Sequence, residues 1–373
     1  MTEFARILVI VTRQLGDVLL TTPLVRAARA RWPQAQIDVL GFGGTLGLLR
    51  GNPDVNTLIE VEGGAGWRAS WPLIKRLWRR YDLALIGQPS DRAHLYGLVA
   101  ARRRSGLVTW HRSKSWWQRL LLTHAVEVPA VRGHVVLEKL ALLAPWVAAP
   151  GEISVLAPPG AALPADVLAA LQPGYVVVQV PSLVHYKQWP LAHFRQLVPA
   201  LVADGRQVVL TGSASAADRE RVAEVLASVP EAGASQALDV AGRLDLNQVA
   251  TLLAGASLYI GPDTSITHLA AACRLPVIAL YGPVDPRIFG PWPQAHGATQ
   301  PWLPSAGRQV AATITLLQGP QPCVPCNGAG CDKHDNSRSE CLVSITPQRV
   351  LAEARRLLGA PISATSGAGT SMP

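Results

Sequence analysis

The sequence predicts an α/β protein with two parallel-sheet domains facing a central cleft. Three observations predict it. Short apolar runs alternate with segments of helical period along most of the 373 residues. A Pro/Ala/Gly stretch, 157–164, interrupts the alternation near the middle. Polar clusters also recur just past the ends of strand-like runs, the edge at which open α/β sheets bind ligands. Hydrophobic residues make up 49% and charged ones 16%, which suits two globular cores and argues against disorder.

The elements follow in order. Runs 7–11, 37–40 and 83–86 read as strands of a first sheet, and 18–31, 73–80 and 134–147 have helical spacing. This first domain is expected over residues 1–156, with a linker over 157–173. A second domain is expected over 174–358, with strands at 175–180, 207–211, 237–240, 258–260 and 277–280. Helices are expected between them at 191–203, 216–228 and 264–273, with a last one at 348–358. The tail 359–373, rich in Ser, Gly, Ala and Thr, reads as disordered.

Charge divides the chain unevenly. Residues 1–150 hold 20 Lys and Arg against 10 Asp and Glu, whereas residues 151–373 hold 14 against 15. The excess includes Lys75-Arg76, Arg79-Arg80, Arg102-Arg103-Arg104 and Arg112-Ser113-Lys114, interleaved with Trp67, Trp71, Trp78, Trp110, Trp116 and Trp117. Such a surface can face nucleic acid, anionic lipid or a phosphorylated substrate, or can simply be solvated. No apolar run is long enough to span a bilayer. The start, with Glu3 and no cationic lead, does not read as a signal peptide, so a cytoplasmic location is expected.

Four cysteines, Cys323, Cys326, Cys331 and Cys341, cluster in segment 323–341 with His334 among them. A structural zinc is one reading and free or paired thiols another. Cys273 stands apart in an apolar helix as a small core residue.

Four motifs carry candidate chemistry. Gly261-Pro262-Asp263-Thr264-Ser265-Ile266-Thr267-His268 spans the end of a strand and the start of a helix. Asp263, Thr264 and Ser265 can cap the first turn there, or its N–H groups and dipole can receive a phosphate. Arg13-Gln14-Leu15-Gly16-Asp17 follows the first strand, with a helix expected after Gly16. Gly16 permits close backbone approach to a ligand, and Asp17 is a general base or a helix-start carboxylate. Ser182 and Lys187 lie in a loop ahead of a helix that Pro190 opens, and a lysine there suits a diphosphate or is a surface cation. Gly212-Ser213 again follows a strand. The run Gly41 to Gly47 has the wrong spacing for a dinucleotide fingerprint, and neither a phosphate loop nor a Gly-x-Ser-x-Gly elbow is present.

Together these motifs resemble the ADP-heptose:lipopolysaccharide heptosyltransferases, glycosyltransferase family 9. The carriers are Gly16-Asp17-Val18-Leu19-Leu20-Thr21-Thr22-Pro23, Lys187-Gln188-Trp189-Pro190, Gly261-Pro262-Asp263-Thr264 with His268, and Tyr281-Gly282-Pro283-Val284-Asp285-Pro286. Asn52-Pro53-Asp54-Val55 and the Cys-rich stretch look most like the heptosyltransferase III branch.

The resemblance implies a GT-B fold of two Rossmann-like domains. It also implies an inverting, metal-independent enzyme that takes heptose from ADP-heptose, with no cofactor required. Asp17 matches the family's base. Lys187 matches its diphosphate ligand. Asp263 and Thr264 match the donor junction, with Ser182, Gly212, Ser213, Ser265 and His268 lining it. Arg13, Gly16, Arg112 and Lys114 are expected on the acceptor side.

The implied acceptor is a lipopolysaccharide core of the lipid A–Kdo–heptose type. The enzyme would work as a peripheral protein on the inner face of a Gram-negative inner membrane, with no nucleic-acid partner. Some relatives carry a carboxylate for the donor ribose shortly after the glycine matching Gly212. Ser213-Ala214-Ser215-Ala216 supplies none here. Another nucleotide sugar stays open as donor. A nucleic-acid-binding protein is the alternative from another class, and it leaves Asp17, Lys187 and Asp263 without a role.

Overall fold

The structure, a computed structural model, describes residues 3–62, 71–148, 151–296 and 300–359. Trp67 and residues 360–373 of the expected tail lie outside them.

The first sheet contains β1 (Arg6–Val11), β2 (Gln36–Phe42), β3 (Thr57–Val61), β4 (Tyr81–Ile86), β5 (Ala101–Thr109) and β6 (His124–Val128). All are parallel, in the order β3-β2-β1-β4-β5-β6. Alternate residues of β1 enter different cores, as the two-residue period of a strand requires. Ile7, Val9 and Val11 pack with Leu24, Val25, Ala28 and Trp32 on one face. Leu8 and Ile10 pack with Ala93, Tyr96 and Ala100 on the other. Helices thus cover both faces, the usual condition for a parallel sheet.

The second sheet contains β7 (Val176–Gln179), β8 (Val208–Thr211), β9 (Ala237–Asp239), β10 (Leu258–Pro262), β11 (Val277–Tyr281), β12 (Arg308–Ala311) and β13 (Ile314–Gln318). Its order is β12-β13-β11-β10-β7-β8-β9, parallel except for β12 against β13. Val176 and Val178 pack on Phe194, Leu197, Leu201, Val350 and Ala354. Val177, Tyr259 and Val277 face a second core that also holds Leu19, Leu20, Leu48, Val135, Val136 and Leu140 from the N-terminal half. The two sheets therefore share apolar packing through their helices.

Some boundaries differ from the sequence expectation. The helix expected at 18–31 is two helices, Leu15–Leu19 and Thr22–Arg31. Pro23 stands in the first turn of the second, where its missing N–H is tolerated, and could not continue the first. Gly16 and Asp17 consequently lie inside the first short helix rather than ahead of one. The helix expected at 134–147 is Val135–Leu140 followed by a single tighter turn, Ala141–Leu143. The expected linker carries a short helix, Ala165–Ala170. Arg102, Arg103 and Arg104 belong to β5.

Trp189, beside the Lys187 loop, is fully buried; its indole N–H donates to the Ile345 carbonyl at 2.8 Å and its ring meets Phe194 edge-on. Trp189→Ala should lower unfolding free energy by about 3–5 kcal/mol. Chemical denaturation checks this, and an unchanged midpoint would contradict the packing.

Candidate functional site

The site forms where β1 and β10 end. The helix Leu15–Leu19 after β1 packs against the helix Ser265–Ala272 after β10. Their contact is close because Gly16 has no side chain. A Cβ there would stand 3.3 Å from His268 Cδ2 and 3.8 Å from the Cα of Ser265. Asp17, the next residue, is thereby held against the start of the second helix. Its carboxylate is largely enclosed, with Arg13 Nε 3.8 Å from Oδ2.

Asp263 is buried at the end of β10 and pairs with Lys187, Nζ to Oδ2 at 2.7 Å. Lys187 closes a one-turn helix, His185–Lys187, after β7. Burial would lower the lysine's pKa, but the Asp263 carboxylate outweighs it, so the pKa is raised and the ammonium stays charged. His268 is buried one turn into the helix, with Nε2 4.0 Å from Asp263 Oδ1. Burial lowers its pKa and Asp263 opposes only part of that, so the imidazole is neutral at pH 7. Its Nδ1 has no partner among the described residues.

Thr264 caps the helix, its hydroxyl accepting from the Thr267 N–H at 3.3 Å. The cap reading therefore holds for the hydroxyl. It leaves the N–H groups of Ser265 and Ile266 without partners inside the helix, free to face an anion. Ser182 is buried and donates to the Asp263 carbonyl at 3.2 Å, tying the β7 loop to this junction. Gly212 follows β8 and packs on Pro181, while the Ser213 N–H donates to Asp218 at 3.0 Å. Both therefore lie at the same sheet edge, two strands from Asp263. Arg112 and Lys114 are exposed at the start of the helix Arg112–Leu121 after β5. Since β5 runs parallel to β1, they rim the edge that carries Asp17, beside exposed Trp110 and Trp116.

Three contributors were not assigned to this site by the sequence. Tyr281 is buried beside Asp263, and burial followed by that carboxylate pushes its phenol well up, so it remains protonated. Lys139 is buried, with Nζ 2.5 Å from the Asp17 carbonyl; the mark it leaves in the sequence is a lysine in an apolar helical run. The Cys-rich segment is the third. Its Ser339 hydroxyl donates to the Tyr186 carbonyl at 2.7 Å, and the Ser337 carbonyl lies 3.2 Å from His185 Nδ1. Its Asn327 side chain accepts from the Asp285 N–H at 2.9 Å. The segment thus braces both the Lys187 turn and the turn after β11.

The zinc that is one reading of these cysteines finds no gathered ligand set among the described residues. Among the described residues no group of three or more His, Cys, Asp or Glu side chains is arranged to hold a metal, and the thiols are free. Cys341 is turned into the core on the helix Glu340–Val343, while Cys323, Cys326 and Cys331 face outward. Burial pushes the Cys341 thiol up to about 12. Among the described residues no helix is long and apolar enough to cross a membrane.

Comparisons with known proteins point to one family. The profile of glycosyltransferase family 9 (heptosyltransferase) matches residues 70–308. Lipopolysaccharide heptosyltransferase 3 of Escherichia coli is 31% identical over 295 residues, covering 74% of this chain and 83% of the relative. Lipopolysaccharide heptosyltransferase 2 of Salmonella typhimurium is 28% identical over 95% of this chain and 98% of its own length. Among solved structures, the E. coli ADP-heptose lps heptosyltransferase II superposes with a TM-score of 0.69 at 25% identity, covering 95% of this chain and 98% of that one.

Asp263→Asn leaves the Lys187 ammonium without its counter-ion. It should lower stability in the absence of ligand by about 1–3 kcal/mol, discounted for the lysine's partial exposure. Denaturant titration at pH 7 measures this, and wild-type stability would contradict the pairing.

Proposed function

Since this chain belongs to glycosyltransferase family 9, we propose that it moves heptose from ADP-heptose to the inner core of lipopolysaccharide, with inversion, as the heptosyltransferase III branch does. One observation carries the reading: two helices from different sheets pack so closely that the Asp17 carboxylate acts electrostatically on both Lys187 and His268, which flank Asp263.

Each group has a chemical task. The Asp17 carboxylate takes the proton from an acceptor hydroxyl as that oxygen attacks the heptose C1. The bond from C1 to the diphosphate breaks on the opposite face, and ADP leaves with the electron pair. Lys187 has three N–H groups, so it can keep Asp263 and offer another to the diphosphate. The N–H groups at the start of the helix Ser265–Ala272, with Thr264, receive a phosphate oxygen. These donors are fixed before the charge develops, which is when they stabilise it most, and no metal is assigned to the step. Asp263 holds heptose hydroxyls, with neutral His268 against it. Ser182, Gly212, Ser213 and Ser265 complete the donor side.

A lipopolysaccharide core carries phosphates and carboxylates and is anchored in a membrane. The basic excess of the first 150 residues suits that acceptor, and Arg13, Gly16, Arg112 and Lys114 lie at the edge it would approach. The protein then works on the cytoplasmic face of the inner membrane.

Asp17→Asn should keep the fold and bind ADP-heptose within a few-fold of wild type, while turnover falls by about 10²- to 10⁴-fold. Incubation with ADP-heptose and truncated core lipopolysaccharides, followed by mass measurement of the product, checks it. Full turnover in the variant would remove Asp17 as base. Tight binding of a UDP-sugar with none of ADP-heptose would transfer the reading to another donor.

A further inference from the structure

Lys139 lies in the helix Val135–Leu140, between buried Val136 and Leu140, and is 1% exposed. Its neighbour Glu138 does not neutralise it, because that carboxylate is held bidentately by Arg132 at 3.0 and 2.5 Å. Instead Nζ donates to the Asp17 carbonyl at 2.5 Å and to the Thr21 hydroxyl at 2.8 Å. The Thr21 hydroxyl in turn donates to the same Asp17 carbonyl at 2.7 Å. That carbonyl needs such donors. The short helix Leu15–Leu19 ends in a tight turn in which the Thr21 N–H goes to Val18 rather than to Asp17. A buried cation therefore supports the end of a helix, where carbonyls are left over and the dipole is negative.

We propose that Lys139 is a positioning residue for the transfer reaction: its ammonium clamps the turn that carries the Asp17 carboxylate and holds a positive charge beneath it. This rests on Asp17 being the base. The clamp acts through the backbone, so Lys139 touches neither substrate nor the reacting atoms. The charged and titratable groups around it are Asp17 and Arg13 on the supported segment, Glu138, Arg132 and His134 near it in sequence, and His268 on the facing helix. Burial pushes Lys139 down to about 8, with Asp17 opposing. Burial also holds His268 below its ordinary range and takes His134 down to about 3, so both rings are neutral at pH 7. With both rings neutral and Glu138 paired to Arg132, the charges next to this turn are those of Lys139, Asp17 and Arg13.

The clamp is charged below the lysine's pKa and loses its charge, and with it the charge-assisted hold on the Asp17 carbonyl, as pH rises through about 8. Transfer by the wild type should decline on that alkaline limb. Lys139→Arg, whose guanidinium keeps its proton, should move the limb up by at least about one pH unit. Lys139→Met should remove the limb and lower kcat by about 10- to 100-fold, with ADP-heptose affinity within about threefold of wild type. Lys139→Gln serves if the Met variant does not fold.

Full kcat in a folded Met or Gln variant would overturn the proposal, as would an alkaline limb unchanged in the Arg variant. A merely structural lysine would lower stability and donor affinity and leave the limb in place. Asp17→Asn run in parallel separates the two levels. If it is inactive while the Lys139 variants behave as wild type, the clamp alone fails. If it is fully active, the base reading fails.

Discussion

The close contact between Gly16 and His268 sets the geometry on which the rest of the site depends. A helix that follows the first strand of one sheet lies against a helix that follows a central strand of the other. A side chain at position 16 would press on a buried ring, which would have to give by a few tenths of an ångström. Because the position is glycine, the backbone carrying Asp17 reaches the junction that carries Asp263. Leu19 and Leu20 extend the same contact into the core of the C-terminal sheet. The relation between the two halves at this point is thus fixed by packed apolar side chains as well as by polar ones.

On the C-terminal side, charge is arranged before any substrate arrives. Lys187 and Asp263 form an ion pair in a buried setting, where an unpaired charge is costly. The pair orders a lysine that would otherwise have a long, mobile stem. Around it, Ser182 fixes the junction through the Asp263 carbonyl, and segment 323–341 holds the Lys187 turn from behind. Side chains remote from the proposed chemistry therefore decide where its charges stand.

The central strands were legible because β1, β10 and β11 are nearly continuous apolar runs and β4 ends in one at Leu83–Ile86, as strands buried on both faces must be. The edge strands were not. β6 alternates exposed and half-buried residues, and β5 opens with three arginines that read as surface charge. The strand–helix junction at Asp263 was legible from local pattern, and so was the short loop holding Lys187. Lys139 was not, because helical period says that a face is apolar but not which polar neighbour a long side chain will find across a domain. Within the Cys-rich segment, serines and an asparagine rather than the cysteines make the hydrogen bonds to the site.

The most direct measurement is a crystal structure with a non-transferable ADP-heptose analogue bound. We expect the diphosphate against Lys187 and the N-terminus of the helix Ser265–Ala272, and the heptose hydroxyls on Asp263. The anomeric carbon should turn its free face toward Asp17. A diphosphate bound elsewhere, or a sugar whose anomeric carbon faces away from Asp17, would contradict the two-sided site.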